Sequence, residues 1–280
     1  MLELVPGIAL ADARTRLSEA LRMLTDARGG FTAQDRFNGY LEWVATQTRL
    51  CRGVFSPADL DRLITTGLYW SLLGSSPVDL GSAISPTLDG ELEARAVALE
   101  HELREFDSIA ARWGAGRALA VVPDTSVFVE HGAAFPELPW HEILDQRSNV
   151  PIHIAVTMAV VRELDGKKLS RDQSPDGQQV RSQVRAALRR IEELFPWNDH
   201  QARFDENLNR TYTTLLTDDL GHFPLPDADG EMIRRGLSVL PYAGRAMLVT
   251  YDLAQTFRAR AAGLAAHRLR YSYEDPQTAE

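Results

Sequence analysis

The stretch Ala118-Leu-Ala-Val-Val-Pro-Asp124 decides the fold of the second part of this chain. Its apolar residues form a short run that favours a buried strand, and an acid follows where this strand should end. A second run of this kind, Ala246-Met-Leu-Val-Thr-Tyr, is followed by Asp252. In an open parallel sheet, the functional crevice lies outside the carboxyl ends of the strands. We therefore expect both aspartates to lie at one crevice.

Short apolar runs alternate with helical patterns after Gly116. The pattern predicts strands near 118–123, 151–156, 211–217 and 246–251, and an edge strand near 265–269. It predicts helices near 158–168, 178–195, 229–240 and 253–263. Strands that alternate with helices imply parallel pairing through right-handed crossovers. The predicted fold class is therefore α/β, a three-layer α/β/α domain with a central parallel sheet, over residues 117–272.

Residues 1–113 are predicted to form an all-helical region that precedes this domain. Apolar residues recur at spacings of three and four within 9–27 and 31–50, which is typical of helices with one buried face. Ser56-Pro57 marks a further helix start, with a serine cap and a proline in the first turn. A loop is expected at 75–89, then a long helix at 91–113, and a hinge at Gly114-Ala-Gly116.

Composition restricts the class of protein. A chain of 280 residues with 44% hydrophobic residues is globular, and its net charge of −9 argues against broad coating of nucleic acid. Cys51 is the only cysteine, which excludes an internal disulfide or a thiolate metal cluster. No secretory signal is visible, and no apolar run approaches the roughly 18 residues of a membrane span. We expect a soluble cytoplasmic protein.

Two further acids are candidates for the same crevice. Glu163 lies in the predicted helix 158–168, and Asp229 opens the helix 229–240. Neighbouring carboxylates repel each other and raise each other's pKa, and a divalent cation removes that cost. Oxygen ligands without thiolates favour Mg²⁺ or Mn²⁺ over zinc. The matching chemistry is metal-assisted hydrolysis of a phosphodiester without a covalent intermediate.

Each acid also has a structural interpretation. The two strand-end aspartates could instead cap the helices or turns that follow them. Asp165 competes with Glu163, because residues two apart on a helix do not face the same way. Asp227 and Glu231 flank Asp229, and an acid at a helix start could merely favour the helix dipole.

Basic residues near these acids are candidates for phosphate contact. Lys167 and Lys168, the only lysines of the chain, follow Glu163, and Arg258 lies about two helical turns after Asp252. A stripe with a spacing of four is formed by Arg181, Arg185 and Arg189. The alternative, which we favour for the stripe, is a solvated helix face with intrahelical ion pairs.

Other catalytic motifs are absent from the sequence. It contains no zinc-binding HExxH motif, Walker loop, GxGxxG fingerprint or GxSxG elbow. A phosphatase with an aspartyl nucleophile would need a second aspartate two positions after Asp124, where Ser126 lies.

Four sequence blocks resemble those of PIN-domain nucleases. Val121-Val-Pro-Asp124-Thr-Ser126 is similar to the opening motif, and 150–168, with Glu163-Leu-Asp165, is similar to the second block. Asp229-Gly-Glu-Met-Ile is similar to the third, and Leu248-Val-Thr-Tyr-Asp252 to the fourth. The blocks follow the family order over roughly residues 117–270.

The resemblance implies a ribonuclease that uses Mg²⁺ or Mn²⁺ and acts on RNA, with single-stranded RNA expected. One or two metal ions would be held by Asp124, Glu163, Asp229 and Asp252. Supporting positions are Thr125, Ser126, Asp165, Glu231 and Thr250, and substrate contacts are Lys167, Lys168 and Arg258. The alternatives are a non-catalytic adaptor that binds RNA or protein on a PIN scaffold, and a nuclease that cuts DNA.

The resemblance also implies possible partners, because compact toxins of toxin–antitoxin pairs belong to this family. An antitoxin or another protein is therefore a candidate partner. The insertion 170–228 and the helical region weaken the toxin assignment more than the nuclease assignment. Tyr251 stands where a small polar residue is common, which predicts a narrower pocket. The helical region is expected to pack on the other domain, form a homo-oligomer or receive a partner.

Overall fold

A computed structural model of the chain describes residues 2–5, 7–74, 84–169, 174–196, 203–204, 210–218 and 222–271. The chain divides into two compact units, Met1–Ala111 and Arg112–Glu280. Part of the predicted loop (75–83) and several segments of the insertion lie outside the described residues. Within those residues, no helix combines the length and apolar character that crossing a membrane requires.

The first unit is helical, as the sequence predicted. Its helices are α1 (Leu10–Arg28), α2 (Ala33–Cys51), α3 (Pro57–Leu63), α4 (Gly67–Leu73) and α5 (Ile84–Arg112). Ser56 caps α3 through its side chain, with Pro57 in the first turn. The prediction of a loop as far as residue 89 was wrong, because α5 begins at Ile84. Pro86 lies in its first turn, where a proline costs no hydrogen bond.

The second unit contains a six-stranded sheet in the order β3-β4-β2-β1-β5-β6. The strands are β1 (Ala118–Pro123), β2 (Ile152–Thr157), β3 (Arg203–Phe204), β4 (Thr211–Leu216), β5 (Gly244–Thr250) and β6 (Ala265–Arg268). Within the described ranges, five strands are parallel, and the two-residue β3 is antiparallel to its neighbour. The predicted edge strand at the carboxyl terminus is β6.

Helices flank this sheet. They are α6 (Thr125–His131), α7 (Trp140–Ile143), α8 (Met158–Lys168), α9 (Pro175–Leu194), α10 (Ala228–Ala243) and α11 (Leu253–Ala261). A 3-10 helix, Gly132–Glu137, lies between α6 and α7. Every residue of β1 and β2 is buried, as expected for central parallel strands that helices cover on both faces. The predicted α/β fold with its central parallel sheet, preceded by an all-helical region, is confirmed.

The short elements between β1 and β2 had no counterpart in the sequence prediction. Helix α6 has seven residues and α7 has four, which is too short for a repeating apolar pattern to show. Glycines 114 and 116 have φ angles of 77° and 80°, and the amide of Gly116 donates to the Tyr242 carbonyl at 2.7 Å. This bond ties the entry of β1 to the end of α10. The predicted hinge at this position stays a prediction.

Candidate active site

A cleft of about 240 Å³ lies at the carboxyl ends of β1 and β5. Its lining consists of Asp124, Thr125, Ser126, Val129, Glu163, Lys167, Asp229, Met232, Asp252, Gln255 and Tyr271. The four acids selected from the sequence, which lie on four separate elements, are therefore neighbours in space. β1 and β5 pair directly, and their register brings the two strand ends together.

Asp124 caps α6 and lines the cleft at the same time. Its Oδ1 accepts hydrogen bonds from the amides of Ser126 (2.8 Å) and Val127 (3.4 Å) and from the Ser126 hydroxyl. Its Oδ2 accepts one from the Thr250 hydroxyl. Burial raises the pKa of this carboxyl, and these hydrogen bonds oppose the rise. Asp124 therefore serves both as the cap of α6 and as a lining residue of the cleft.

Thr250 links the two strand-end aspartates. Its hydroxyl donates to Asp124 and accepts a hydrogen bond from the Asp252 amide at 2.8 Å. Asp252 caps α11, since its Oδ1 accepts from the amides of Ala254 (2.6 Å) and Gln255 (3.3 Å). Within the described part of the chain, its Oδ2 has no hydrogen-bond partner. Thr250 thus holds both aspartates in a defined geometry, with one carboxylate oxygen available to a ligand.

Glu163 enters the cleft from α8. Its Oε2 accepts a hydrogen bond from the Thr125 hydroxyl at 2.6 Å, and its Oε1 lies 3.4 Å from Nζ of Lys167. Asp165, two residues later, points elsewhere and forms an ion pair with Lys168 at 2.5 Å. The helical period separates residues two apart by about 200°, so only one of the two acids reaches the cleft. Asp165 and Lys168 do not line it.

Asp229 completes the acidic set from the start of α10. Its Oδ2 lies 3.1 Å from Nη1 of Arg258. The Gln255 amide, oriented with its nitrogen toward this carboxylate, donates to Oδ1 at 2.6 Å. The pKa of Asp229 is raised, first by burial and then by Asp227, and the charges on Glu163 and Asp124 add to this. Asp229 therefore experiences the negative potential of the acids across the cleft.

A sequence model of the PIN domain matches residues 121–270, slightly more than half of the chain, and this range includes all four acids. The chain belongs to the PIN-domain family. PIN domains are mostly nucleases, typically dependent on divalent metals, and the family implies a nucleic-acid substrate. No curated protein matches the chain significantly.

The PIN domain places Glu231 away from the cleft, contrary to the supporting role expected from its sequence position. This side chain is 1% exposed. Its Oε1 lies 2.8 Å from Nε2 of His222 and 3.2 Å from Nε of Arg235, and its Oε2 accepts from the Leu225 amide at 3.1 Å. Glu231 lies two residues after Asp229, and because each residue turns the side chain by about 100°, the two acids point in nearly opposite directions. Glu231 anchors the chain that leads into α10.

The cluster Asp218, His222 and Glu231 brings three possible metal ligands within 4.8 Å of one another. Asp218, however, already contacts Arg162 at 2.7 Å and Arg235 at 2.5 Å. Two guanidinium groups satisfy this carboxylate and would repel a dication. The arrangement is therefore an ion-pair network that joins α8, α10 and the segment before it.

The residues expected to contact substrate do not all line the cleft. Lys167 lines the cleft, whereas Arg258 pairs with Asp227 and Asp229 beside it. Four further lining side chains were not selected from the sequence: Val129, Met232, Gln255 and Tyr271. Gln255 follows Asp252 by three residues, a helical spacing that could have identified it. Tyr271 reaches the cleft by stacking on Tyr251 at 4.4 Å, which only the folded chain reveals.

The cleft suits a divalent cation in its donor chemistry. Four carboxylates and one lysine line it, its negatively charged groups offer only oxygen atoms, and the lining contains no cysteine or histidine among the described residues. Magnesium and manganese prefer such oxygen donors. Burial raises the pKa of Asp229 and neighbouring carboxylates add to the rise, so a dication would relieve the repulsion part of this effect. The side chains present therefore fit the kind of metal that the family uses.

The raised pKa of Asp124 predicts how pH affects the stability of the metal-free protein. When the folded-state pKa exceeds the unfolded value, the folded state binds more protons, so stability falls as pH rises through the raised pKa. The substitution Asp124→Asn removes this titration. With chelator present, we expect the melting temperature of the variant minus that of the wild type to become more positive from acid to neutral pH.

Asp218→Asn is the matched control for this measurement. Burial raises the pKa of Asp218, but hydrogen bonds and charges from Arg162 and Arg235 outweigh burial, so the pKa is lowered overall. Its stabilising contribution is present above the ordinary aspartate pKa and lost in acid. The melting-temperature difference of this variant should become more negative as pH rises. Equal slopes for the two variants would contradict the assigned environments.

Proposed function

We propose that this PIN domain hydrolyses phosphodiester bonds in single-stranded RNA with Mg²⁺ or Mn²⁺ bound in the cleft. The proposed ligands are Asp124, Glu163, Asp229 and Asp252. The observation that carries this proposal is the convergence of four carboxylates from four elements on one cleft in a family of mostly metal-dependent nucleases. Such an ion supplies an activated water and charge stabilisation during in-line attack.

Neighbouring side chains preorganise the four proposed ligands. Thr250 and the amides at the start of α6 hold Asp124, and the amides at the start of α11 hold Asp252. Thr125 holds Glu163 through its hydroxyl. These contacts lock the carboxylate orientations before any ligand binds, which is what an efficient metal site requires.

Two cations expected from the sequence to contact substrate lie beside the acids, and their surroundings suggest different roles. Lys167 lies on the cleft wall with its side chain 43% exposed and only loosely paired with Glu163. We propose that it binds a phosphate when the ligands carry a metal. Arg258 is engaged with Asp227 and Asp229 and is proposed to hold Asp229 in position.

Metal-dependent cleavage tests this function directly. The full chain is incubated with a fluorescent single-stranded RNA in Mg²⁺, in Mn²⁺ or in chelator, with a single-stranded DNA of the same sequence alongside. We expect cleavage of RNA only when a divalent ion is present. Preferential cleavage of DNA would overturn the assignment of RNA as substrate and leave the metal chemistry intact.

Titration with Mn²⁺ separates the enzyme from the adaptor alternative. We expect saturable binding to the wild type and weaker binding to Asp229→Asn, which keeps the side-chain shape but loses the charge. Absence of both saturable binding and cleavage would favour a non-catalytic adaptor. An antitoxin or other protein partner, and self-association of the chain, stay predictions.

A further inference from the structure

The exposed face of α9 carries a row of arginines at every fourth position: Arg181, Arg185 and Arg189. Together with Gln178, Ser182 and Ala186 they line a groove of about 580 Å³. The helical rise places successive arginine Cα atoms about 6 Å apart. This spacing is close to that between neighbouring phosphates of an extended nucleic acid strand.

The opposite face of α9 is buried in the PIN domain. Val184, Ala187 and Ile191 form this face, and α9 packs against α6 and α8. These two helices supply Thr125 and Glu163 to the cleft. The arginine row therefore belongs to the layer of helices that positions the cleft acids.

The row lacks the acids that a solvated helix face would carry. No acid occurs between Asp176 and Glu192. Arg185 and Arg189 are exposed, and neither forms an ion pair within the described residues, whereas the adjacent Arg190 contacts Glu137 and Glu193. Intrahelical pairing, the alternative favoured from the sequence, therefore does not occur at these two residues. Like charges four residues apart weaken a helix, so helix stability does not account for the row.

We propose that this face of α9 binds the phosphates of the RNA strand outside the cleft. The inference rests on the proposed function, because it assigns a second contact surface to the same substrate. Guanidinium groups bind phosphates through paired N–H donors, and a strand that follows the row would meet one arginine at each step. Positive charge concentrated on one face of a protein with net charge −9 complements a polyanion.

Binding measured apart from catalysis tests this surface. The double variant Arg185→Gln/Arg189→Gln is compared with the wild type by fluorescence anisotropy, using a long oligouridylate in chelator at several salt concentrations. We expect weaker binding and a smaller slope of log K against log salt. Each phosphate contact on a single strand contributes about 0.7 to this slope, so two contacts should remove about 1.4. Cleavage of a dinucleotide, which has no flanking strand to follow the row, should be unchanged.

The charge-matched control is Arg117→Gln/Arg147→Gln. Both residues are exposed and lie before the amino-terminal ends of β1 and β2, whereas the cleft lies at the carboxyl ends of the strands. This control should keep the wild-type slope, and an equal loss in both double variants would overturn the proposal by indicating a nonspecific charge effect. An unchanged slope in the Arg185/Arg189 variant would also overturn it, while dinucleotide cleavage would still stand. If the row contributes to binding but the wild type cleaves nothing, the surface is supported and the proposed function fails.

Discussion

Asp124→Asn is expected to remove metal-dependent RNA cleavage while leaving the fold intact. Asparagine keeps an oxygen that can accept the capping hydrogen bonds from the Ser126 and Val127 amides, so α6 should still form. It lacks the charge with which the proposed ligand would bind a dication. Removal of an outer-shell partner typically costs 10- to 100-fold, so loss of a direct ligand should exceed about 100-fold. Single-turnover cleavage in Mn²⁺ measures this effect.

The control for this variant is Asp165→Asn, which removes the same charge from an exposed carboxylate that pairs with Lys168 outside the cleft. Its cleavage rate should match the wild type. Thermal melting in chelator tests whether Asp124→Asn is folded. The raised pKa of Asp124 predicts only how its melting-temperature difference from the wild type changes with pH. A folded Asp124→Asn protein that cleaves at the wild-type rate would exclude Asp124 as a ligand.

Gly244→Ala is expected to lower the free energy of unfolding of the PIN domain, and to lower it more than Gly263→Ala does. Gly244 ends α10 in a left-handed conformation with φ of 88°, and an added Cβ would lie 2.1 Å from the Gly116 carbonyl oxygen. The left-handed backbone costs alanine roughly 1–2 kcal/mol. The backbone contact adds about 1–3 kcal/mol of overpacking, because the Gly116 backbone is held by its hydrogen bond to the Tyr242 carbonyl and has little room to move. Denaturant unfolding gives the free energy directly.

Gly263→Ala provides a matched comparison. Its φ is 87°, almost the same as that of Gly244, but no atom lies within 4 Å of an added Cβ. It should show only the cost of the left-handed backbone. Equal free energies of unfolding for the two variants would mean that the backbone around Gly116 moves away from the added Cβ at no cost.

Gly244→Ala should also affect the cleft, since Gly244 begins β5 and the far end of this strand positions Asp252.

The strand-end acids were accessible from sequence because their signal is local. An apolar run followed by an acid specifies both the strand and the end at which the acid lies, and parallel order brings such ends to one edge. Asp124 and Asp252 needed no more than this to be placed at one crevice. Glu163 and Asp229 were selected mainly through the family resemblance, and the folded chain brings both to the same cleft.

The choice among neighbouring acids needed three-dimensional information. Asp165 pairs with Lys168 outside the cleft, and Glu231 is buried against His222 and Arg235. The local sequence does not distinguish Asp165 and Glu231 from Glu163 and Asp229, because each has the same charge and lies within two residues of a cleft acid. The direction of each side chain follows from how its helix packs, which is a property of the whole domain.

The alternation of apolar runs and helical patterns was enough to determine the α/β class, the parallel sheet and the helical region before it. Helices and strands each have a characteristic period of side-chain direction, and both periods can be recognised in the local sequence. The ends of the strands likewise determined where the first acids lie. Only the tertiary structure decided that Thr250 couples Asp124 to Asp252, that Tyr271 reaches the cleft, and that Arg185 and Arg189 have no acidic partner in the described chain. These features depend on contacts between elements far apart in sequence, whose distances and orientations no local pattern contains.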